Sequence, residues 1–287
     1  MQNKKIYSLT VEQNDEVEAL YKACVALDGL AAALSLDCSV NCDPTLPAFY
    51  LQYEQEQLVS FLMVFMPDPS EAEMFAMTLP KYRRQGRCRM LMLEASRELR
   101  KRGLVESLIQ CEPDSEAAIA AIKHLGGTHA FSEYTMYRPL EQGDAAEGGI
   151  SLKPASSDDL EALSALAGEI FQDDPSVHRS MFEKSFASDE ISILEAWRKD
   201  RCVGLTRIVW SDTPPNICTF GIRPDCRKQG LGEAFLGLLL NHIAAKGYVE
   251  AGLDVNSEND AALRLYQRKG FLVRVQVNYY ALPLIQG

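Results

Sequence analysis

The chain has 287 residues, a length that is typical of two domains. Hydrophobic residues make up 47% of it and charged residues 24%, which excludes a disordered or collagen-like protein. The 40 acidic residues outnumber the 29 basic ones. Because the net charge of -11 is spread evenly along the chain, we expect no nucleic-acid partner and no membrane partner.

The beginning of the chain gives no sign of export, because no apolar stretch of the kind found in signal peptides follows its first lysines. The longest apolar stretch, LVSFLMVFM at 58–66, is about half of the ~20 residues that a membrane-spanning helix needs and is typical of a buried strand. The eight cysteines are scattered without a Cys-x-x-Cys pair, which favours free thiols over a metal site. We therefore expect a cytoplasmic protein without a bound metal.

A repeat runs through the whole chain. LPKYRRQG at 79–86 and RPDCRKQG at 223–230 share a Pro-x-x-Arg-x-Gln-Gly frame at an offset of 144 residues, and the same offset pairs Gly103 with Gly247. One register held over this distance predicts a duplicated domain. EQGDAAEGG at 141–149 has the composition of a linker. The predicted division is therefore a first domain at 1–140, a linker at 141–149 and a second domain at 150–287.

The second repeat alternates helices with strands, and the first repeat follows the same pattern. In chain order we predict a helix at 158–171, strands at 191–196, 203–210 and 216–222, a helix at 231–246, a strand at 248–255, a helix at 260–269 and a strand at 272–282. This order indicates an α/β or α+β sheet domain.

The segment TFGIRPDCRKQGLG carries the clearest functional pattern. A strand ends at Ile222, and glycines at Gly230 and Gly232 allow a tight turn into a helix. Free amide groups at such a helix start, together with the helix dipole, bind pyrophosphate. A plain strand-to-helix turn with solvated basic side chains is the alternative. The cradle residues are Arg227, Lys228, Gln229, Gly230, Leu231 and Gly232.

Two common phosphate-binding patterns are excluded. No Gly-x4-Gly-Lys-Ser/Thr string occurs, and the third glycine of a dinucleotide-binding fingerprint is replaced by Phe235. Instead, Arg-x-x-Gly-x-Gly is followed about thirty residues later by NSENDAALRLYQRKGF. With these two motifs at this spacing, the second repeat from 150 to 284 resembles the GNAT superfamily of N-acetyltransferases.

This resemblance implies a fold and an activity. Two tandem GNAT-like domains would each form a mixed, largely antiparallel sheet flanked by helices. The second would transfer an acetyl group from acetyl-CoA to a primary amine of a small molecule or peptide, without a metal. Members of the superfamily associate as dimers, so the chain would be a monomer with a pseudo-dimeric domain pair or a homodimer.

The resemblance also implies roles for individual residues. The backbone of Ile222 would pair with the pantetheine arm, the cradle at 227–232 would hold the pyrophosphate, and Asn259 would bond the pantetheine or a phosphate. Tyr266 would be the general acid that protonates the departing thiolate. Packing of its ring beside Leu263 and Leu265 is the alternative.

The general base stays open in the sequence. The family often carries a Glu on the strand before the loop, but NICTFGI has no acidic residue there. Glu250, Asp254 and Glu195 are the candidates; each could act through a water, or the amine could arrive deprotonated.

The first repeat departs from the family pattern. Cys88 replaces the second loop glycine, Ser115 replaces the asparagine, and Ile122 stands where Tyr266 is found. It does have acidic residues, Glu71 and Glu73, on the strand before its loop. We expect a degenerate copy that packs against the second domain and shapes its acceptor cleft.

Two other functions remain compatible with the sequence. The protein could be a non-catalytic acyl-CoA-binding or regulatory module, or a structural protein built from two degenerate repeats. In the GNAT fold, acceptor specificity would lie at 171–186 and 275–280, where no charge pattern identifies a substrate.

Overall fold

The computed structural model describes residues 2–38, 41–140 and 149–286, and within them the repeat is visible element by element. The strands are β1 (Gln2–Ile6), β2 (Phe49–Glu54), β3 (Gln57–Asp68), β4 (Glu71–Thr78), β5 (Glu106–Cys111), β6 (Thr128–Pro139), β7 (Ser151–Pro154), β8 (Ile191–Arg198), β9 (Arg201–Val209), β10 (Asn216–Ile222), β11 (Glu250–Asn256) and β12 (Leu272–Pro283). The helices are α1 (Val11–Asp28), α2 (Arg87–Lys101), α3 (Glu116–His124), α4 (Leu160–Phe171), α5 (Pro175–Phe186), α6 (Leu231–Ala245) and α7 (Asp260–Arg268).

Helix α5 distinguishes the two repeats. Asp174 caps it by accepting a hydrogen bond from the amide of Ser176 at 2.8 Å, and Pro175 occupies its first turn. At the corresponding place in the first repeat, residues 30–38 form no helix. Helix α5 is absent from the elements predicted from the sequence, although an Asp-Pro pair is a helix-start signal.

Two compact units divide the chain, one comprising Met1–Glu133 and Val275–Gly287 and the other Tyr134–Arg274. We call them unit 1 and unit 2. Each unit thus differs from a sequence repeat at its last strand, since most of β12 belongs to unit 1 and the second half of β6 belongs to unit 2. The linker predicted at 141–149 lies, except for Gly149, outside the described residues.

Unit 1 has the strand order β1-β2-β3-β4-β5-β12. Its neighbours are antiparallel except β4 and β5, which are parallel and pair only at Glu73–Leu108 and Met74–Ile109. Helix α2 packs on one face through Leu91 and Leu99, and α1 packs on the other.

Unit 2 has the order β6-β11-β10-β9-β8-β7, in which β10 and β11 are parallel while β10–β9, β9–β8 and β8–β7 are antiparallel. Phe235 and Leu239 of α6 pack on one face, while Ile170 of α4 and Phe182 of α5 pack on the other with Leu205 of β9. The expected mixed, largely antiparallel sheet flanked by helices is confirmed in each unit.

Among the described helices, none combines the length and the apolar character needed to cross a membrane.

Candidate active site

A split between two parallel strands forms the centre of unit 2. Strands β10 and β11 pair at Asn216–Gly252 and Ile217–Leu253, and the described chain contains no further pair between them. A bulge between Cys218 and Gly221 bends β10 away, although β10 stays paired with β9 as far as Ile222. The backbone edge of β10 that includes Ile222 therefore faces the opening, as the resemblance requires of a pantetheine partner.

The loop that follows has the backbone shape of an anion cradle. Lys228 and Gly230 both have positive φ angles, 59° and 78°, before α6 starts at Leu231. Alternation of such residues with ordinary ones directs successive amide groups to one side, next to the positive end of the helix dipole. A Cβ on Gly230 would meet nothing within 4 Å, so open space lies beyond the turn.

Arg227 holds this loop in place from inside the protein. Its Nε donates to the carbonyl of Ile222 at 3.1 Å, and its Nη2 donates to the carbonyl of Ile170 at 2.6 Å. These bonds tie the loop to β10 and to the end of α4. The side chain of Arg227 is thus a positioning group, and its backbone rather than its guanidinium belongs to the cradle.

Gln229 and Leu231 of the cradle make contacts within the protein, whereas Gly232 borders free space. The Gln229 side chain donates to the carbonyl of Asp225 and accepts from Arg198, and Leu231 is buried in the core. A Cβ on Gly232 would stay at ordinary contact distance, 3.6 Å from Leu265. Packing within the protein therefore does not require this glycine, which leaves room for a ligand.

Helix α7 supplies the two other predicted residues. Asn259 caps the helix, because its Oδ1 accepts from the amide of Ala262 at 3.2 Å. Tyr266 is buried, and its ring lies against Phe220 of β10 and Phe271 at centroid distances of 6.2 and 5.9 Å. Burial raises the pKa of Tyr266 above its usual range, so the phenol stays protonated at neutral pH.

The three candidate bases occupy different places. Asp254 follows the last paired residue of β11 and accepts from Thr135 at 2.7 Å and Asn216 at 2.9 Å. Glu250 lies at the other end of β11 and pairs with Arg274, so the structure does not bring it to the split. Glu195 is buried in β8, where it accepts from the indole of Trp197 at 2.7 Å.

Unit 1 has a cradle of the same shape. Arg84 and Gly86 have φ angles of 59° and 75°, and Arg83 donates to the carbonyl of Thr78 at 3.0 Å. Here the anchoring partner on the first helix is Asp28, which forms two bonds with the Arg83 guanidinium. Replacement of the second loop glycine by Cys88 has left the turn itself unchanged.

A cavity of about 1130 Å³ opens at the strand split of unit 1. Cys88 lines this cavity, and burial raises the pKa of its thiol to about 11. The exposed arginines Arg84 and Arg89 line the cavity on the cradle side, and Glu73, in the last paired stretch of β4 and β5, also lines it. Burial, with a contribution from Glu133, raises the pKa of Glu73.

One residue difference accounts for part of the space in unit 1. Ala76 lines the cavity there, whereas the corresponding residue of unit 2 is Phe220. The Phe220 ring stacks on Phe235 at a centroid distance of 5.0 Å and contacts Tyr266. In unit 2 an aromatic cluster therefore fills a place that is open in unit 1.

No group of three or more His, Cys, Asp or Glu side chains suited to a metal ion occurs in the part of the chain that the structure describes.

The sequence profile of the Acetyltransferase (GNAT) family matches residues 34–126 and 159–271, one stretch in each repeat. The chain belongs to this family. A GCN5-related N-acetyltransferase from Sphaerobacter thermophilus shares the GNAT fold, with a TM-score of 0.78 at 18% identity over 99% of this chain and 96% of that one.

Curated relatives of this GNAT protein include mycothiol acetyltransferases. The one from Thermomonospora curvata is 26% identical over 292 residues, which cover 96% of each chain. The one from Streptomyces scabiei is 33% identical over 86 residues, 29% of this chain and 28% of that protein. The matched region of a third, from Streptomyces coelicolor, covers 18% of its length.

Proposed function

We propose that this chain is an acetyl-CoA-dependent N-acetyltransferase and that transfer takes place in unit 2. The contact between Tyr266 and Phe220 carries the proposal. Phe220 lies two residues before Ile222, in the part of β10 that is no longer paired with β11. Tyr266, which has no counterpart with a phenol in the first repeat, therefore lies beside the strand split. The corresponding Ile122 of unit 1 has no proton to give.

The reaction needs one acid and a route for one proton away from the amine. Acetyl-CoA supplies the acetyl group as a thioester. The nitrogen of a primary amine attacks the carbonyl carbon, a C–N bond forms, and the C–S bond breaks. Tyr266 gives its proton to the departing thiolate and recovers one from solvent afterwards. The amine loses its proton to Asp254 through a water, since Asp254 lies at the apex of the split.

The cradle at 227–232 would hold the pyrophosphate through backbone amides and the α6 dipole. Its fit is supported by the positive φ angles of Lys228 and Gly230 and by the free space at Gly232. Asn259 acts indirectly in this proposal. It caps α7 and so orients the helix that carries Tyr266.

A second role is favoured for unit 1. Its 1130 Å³ cavity and its intact cradle support binding of acyl-CoA, while the absence of a phenol at Ile122 argues against turnover there. We propose that unit 1 is a non-catalytic acyl-CoA-binding domain. The acceptor remains a primary amine of a small molecule or peptide.

A pair of matched variants tests this division of labour. Gly230→Asp and Gly86→Asp each place a carboxylate at one cradle, and aspartate tolerates the left-handed backbone better than most residues. Gly230→Asn and Gly86→Asn are the neutral controls. Calorimetry with CoA measures the number and affinity of sites, and thiol release from acetyl-CoA with a panel of amines measures turnover.

We expect two CoA sites in the wild-type chain. Gly230→Asp should weaken one of them by about 10- to 100-fold, because like charges then meet, and should lower turnover at subsaturating acetyl-CoA in proportion. Gly86→Asp should weaken the other and leave turnover intact. Turnover lost in Gly86→Asp but kept in Gly230→Asp would place the chemistry in unit 1. A wild-type chain without CoA binding would contradict both proposals.

A further inference from the structure

An arginine lies at the apex of the strand split in unit 2. Arg207 of β9 is paired with Cys218 of β10, the first residue after the last contact between β10 and β11. Its side chain is half-buried rather than extended into solvent. None of the motifs that carry the family resemblance includes this residue.

Arg207 forms no direct ion pair with an acidic side chain in the described parts of the chain. Its Nε donates to the hydroxyl of Ser185 on α5 at 2.9 Å, and Ser185 is itself buried. Burial lowers the pKa of the guanidinium from its ordinary value. A partly desolvated cation held by a neutral hydroxyl is costly unless an anion completes its bonding.

Arg207 faces the side of the sheet opposite to the cradle. Residues two apart on a strand share a face, and Leu205 packs with α4 and α5. Ile208 points the other way, into the core formed with α6, whose first turn is the cradle. An acceptor amine must reach the thioester from the side that the cofactor does not occupy. Arg207 lies on that side.

The first repeat shows independently that this strand position faces the cleft. The residue at the same place in unit 1 is Met63, which lines the large cavity together with Phe65, Phe75 and Leu34. The position thus borders open space where the cleft is wide, and its chemistry differs between the repeats. It is apolar in unit 1 and cationic in unit 2.

Negative charges lie close to the same apex. Burial raises the pKa of the Cys218 thiol to about 11. The positive charge of Arg207 lowers this pKa, and the negative charges of Asp254 and Asp212 raise it. The apex therefore offers an anion-binding group and carboxylates suited to an ammonium group. This is the pattern expected for a ligand that carries both charges.

We propose that Arg207 determines acceptor specificity in unit 2 by binding the carboxylate of an amino acid-like substrate. The planar guanidinium has Nη groups left to bind a carboxylate while its Nε stays on Ser185. The substrate class is a small amine that also carries a carboxylate. This inference rests on the proposed function, since it names the acceptor of the same site.

Kinetics with paired acceptors test the inference. The full chain is assayed with acetyl-CoA and with glycine, β-alanine, 4-aminobutyrate and 6-aminohexanoate, each against its own primary amide. The variants are Arg207→Met, which copies the first repeat, and Arg207→Lys. Lys22→Met is the control for net charge, because Lys22 is exposed and paired with Glu18 on α1 of unit 1.

We expect at least one acid to be preferred over its amide by about 10- to 100-fold in kcat/KM, the range of a charge-assisted pair. Arg207→Met should bring this ratio close to one through the acceptor KM, with the KM for acetyl-CoA and the melting temperature preserved. Arg207→Lys should retain part of the preference, and Lys22→Met should retain all of it. An acid preference that persists in Arg207→Met overturns the inference.

Calorimetry with CoA and the N-acetyl product of each acid gives an answer without turnover. Binding that is lost in Arg207→Met supports the inference, and equal binding, or no binding to the wild-type chain, overturns it. Acetylation of the amides without preference for the acids would overturn only the role of Arg207. Failure to bind CoA or to acetylate any amine would instead contradict the proposed function.

Discussion

Burial of Tyr266 is compatible with both roles that its sequence context left open. Its ring packs between Phe220 and Phe271, so it is a core residue, and its burial keeps the phenol protonated, as an acid requires. Packing of the ring therefore does not conflict with the proposed acid role, which stays a prediction.

Tyr266→Phe separates packing from acid catalysis. The ring and its contacts remain, so the melting temperature and the affinity for CoA should change little, whereas kcat should fall by roughly 10²- to 10⁴-fold. Single-turnover acetyl transfer measures this step. Tyr248→Phe is the control, since Tyr248 stacks on Trp210 away from the motif, and it should keep the wild-type rate. An undiminished rate in Tyr266→Phe would remove the phenol from the mechanism.

The raised pKa of Glu73 predicts that the stability of unit 1 depends on pH. Because its folded pKa is raised above the ordinary value of 4.5, the folded state prefers the protonated form, and the favourable contribution present at low pH is lost as pH rises. Glu73→Gln removes the charge and should raise the melting temperature at pH 7. The free energy of unfolding should rise by no more than about 1 kcal/mol, since the site is partly solvated.

Below pH 4 the melting temperatures of Glu73→Gln and the wild-type chain should converge, as differential scanning calorimetry can show. Glu71→Gln, on an exposed neighbour, is the control and should give a smaller difference at either pH. A Glu73→Gln variant that is less stable than the wild type at pH 7 would show that the charged form is favoured.

At the scale of elements, the two repeats keep the same loop and differ in what packs over the split. The turns at 83–86 and 227–230 have nearly equal φ angles and differ in sequence only at Arg84 and Lys228. Unit 2 adds α5 and places the end of α4 directly on β10 at Gly221. The cleft of each unit is thus shaped by its neighbouring helices rather than by its loop.

Gly221 tests the contact between α4 and β10. A Cβ at this position would lie 2.3 Å from Cγ2 of Ile170 and 3.1 Å from Phe171, so Gly221→Ala should destabilise unit 2 by about 1–3 kcal/mol through overpacking. Urea unfolding followed by tryptophan fluorescence reports on this unit, because Trp197 and Trp210 both lie in it.

Gly232→Ala is the matched control for Gly221→Ala. Its Cβ would meet Leu265 at 3.6 Å, and alanine favours the helix start, so the midpoint should stay or rise. Equal destabilisation by both alanines would show that the close approach at Gly221 is not the cause.

At the scale of the whole molecule, the end of the second repeat belongs to the fold of the first. Residues 278–283 of β12 pair with β5, and Tyr280, Leu282, Leu284 and Ile285 complete the core of unit 1. The C-terminal residues are therefore a structural part of unit 1 although they are encoded in the other repeat.

Removal of residues 275–287 should unfold or loosen unit 1 and spare unit 2. Loss of four buried apolar side chains and of the strand that pairs with β5 exceeds the few kcal/mol that a domain can spare. Hydrogen exchange should increase in β4 and β5, while the tryptophan fluorescence of unit 2 keeps its wild-type urea midpoint. Loss of protection confined to β10 and β11 would contradict the division into units.

The duplication, the alternation of elements, the turn before α6 and the family could all be predicted from the sequence, because glycine spacing, apolar periodicity and the repeat offset of 144 residues can be read along the chain. Two interpretations of Tyr266 stayed open, α5 was not predicted, and Arg207 lies in none of the sequence motifs. Only the tertiary structure showed that Arg227 anchors the loop, that Glu250 is paired with Arg274, and that β12 completes the sheet of unit 1. Such properties depend on which backbone edges and charges meet across long sequence distances, and a strand carries no local signal for the partner that it will find.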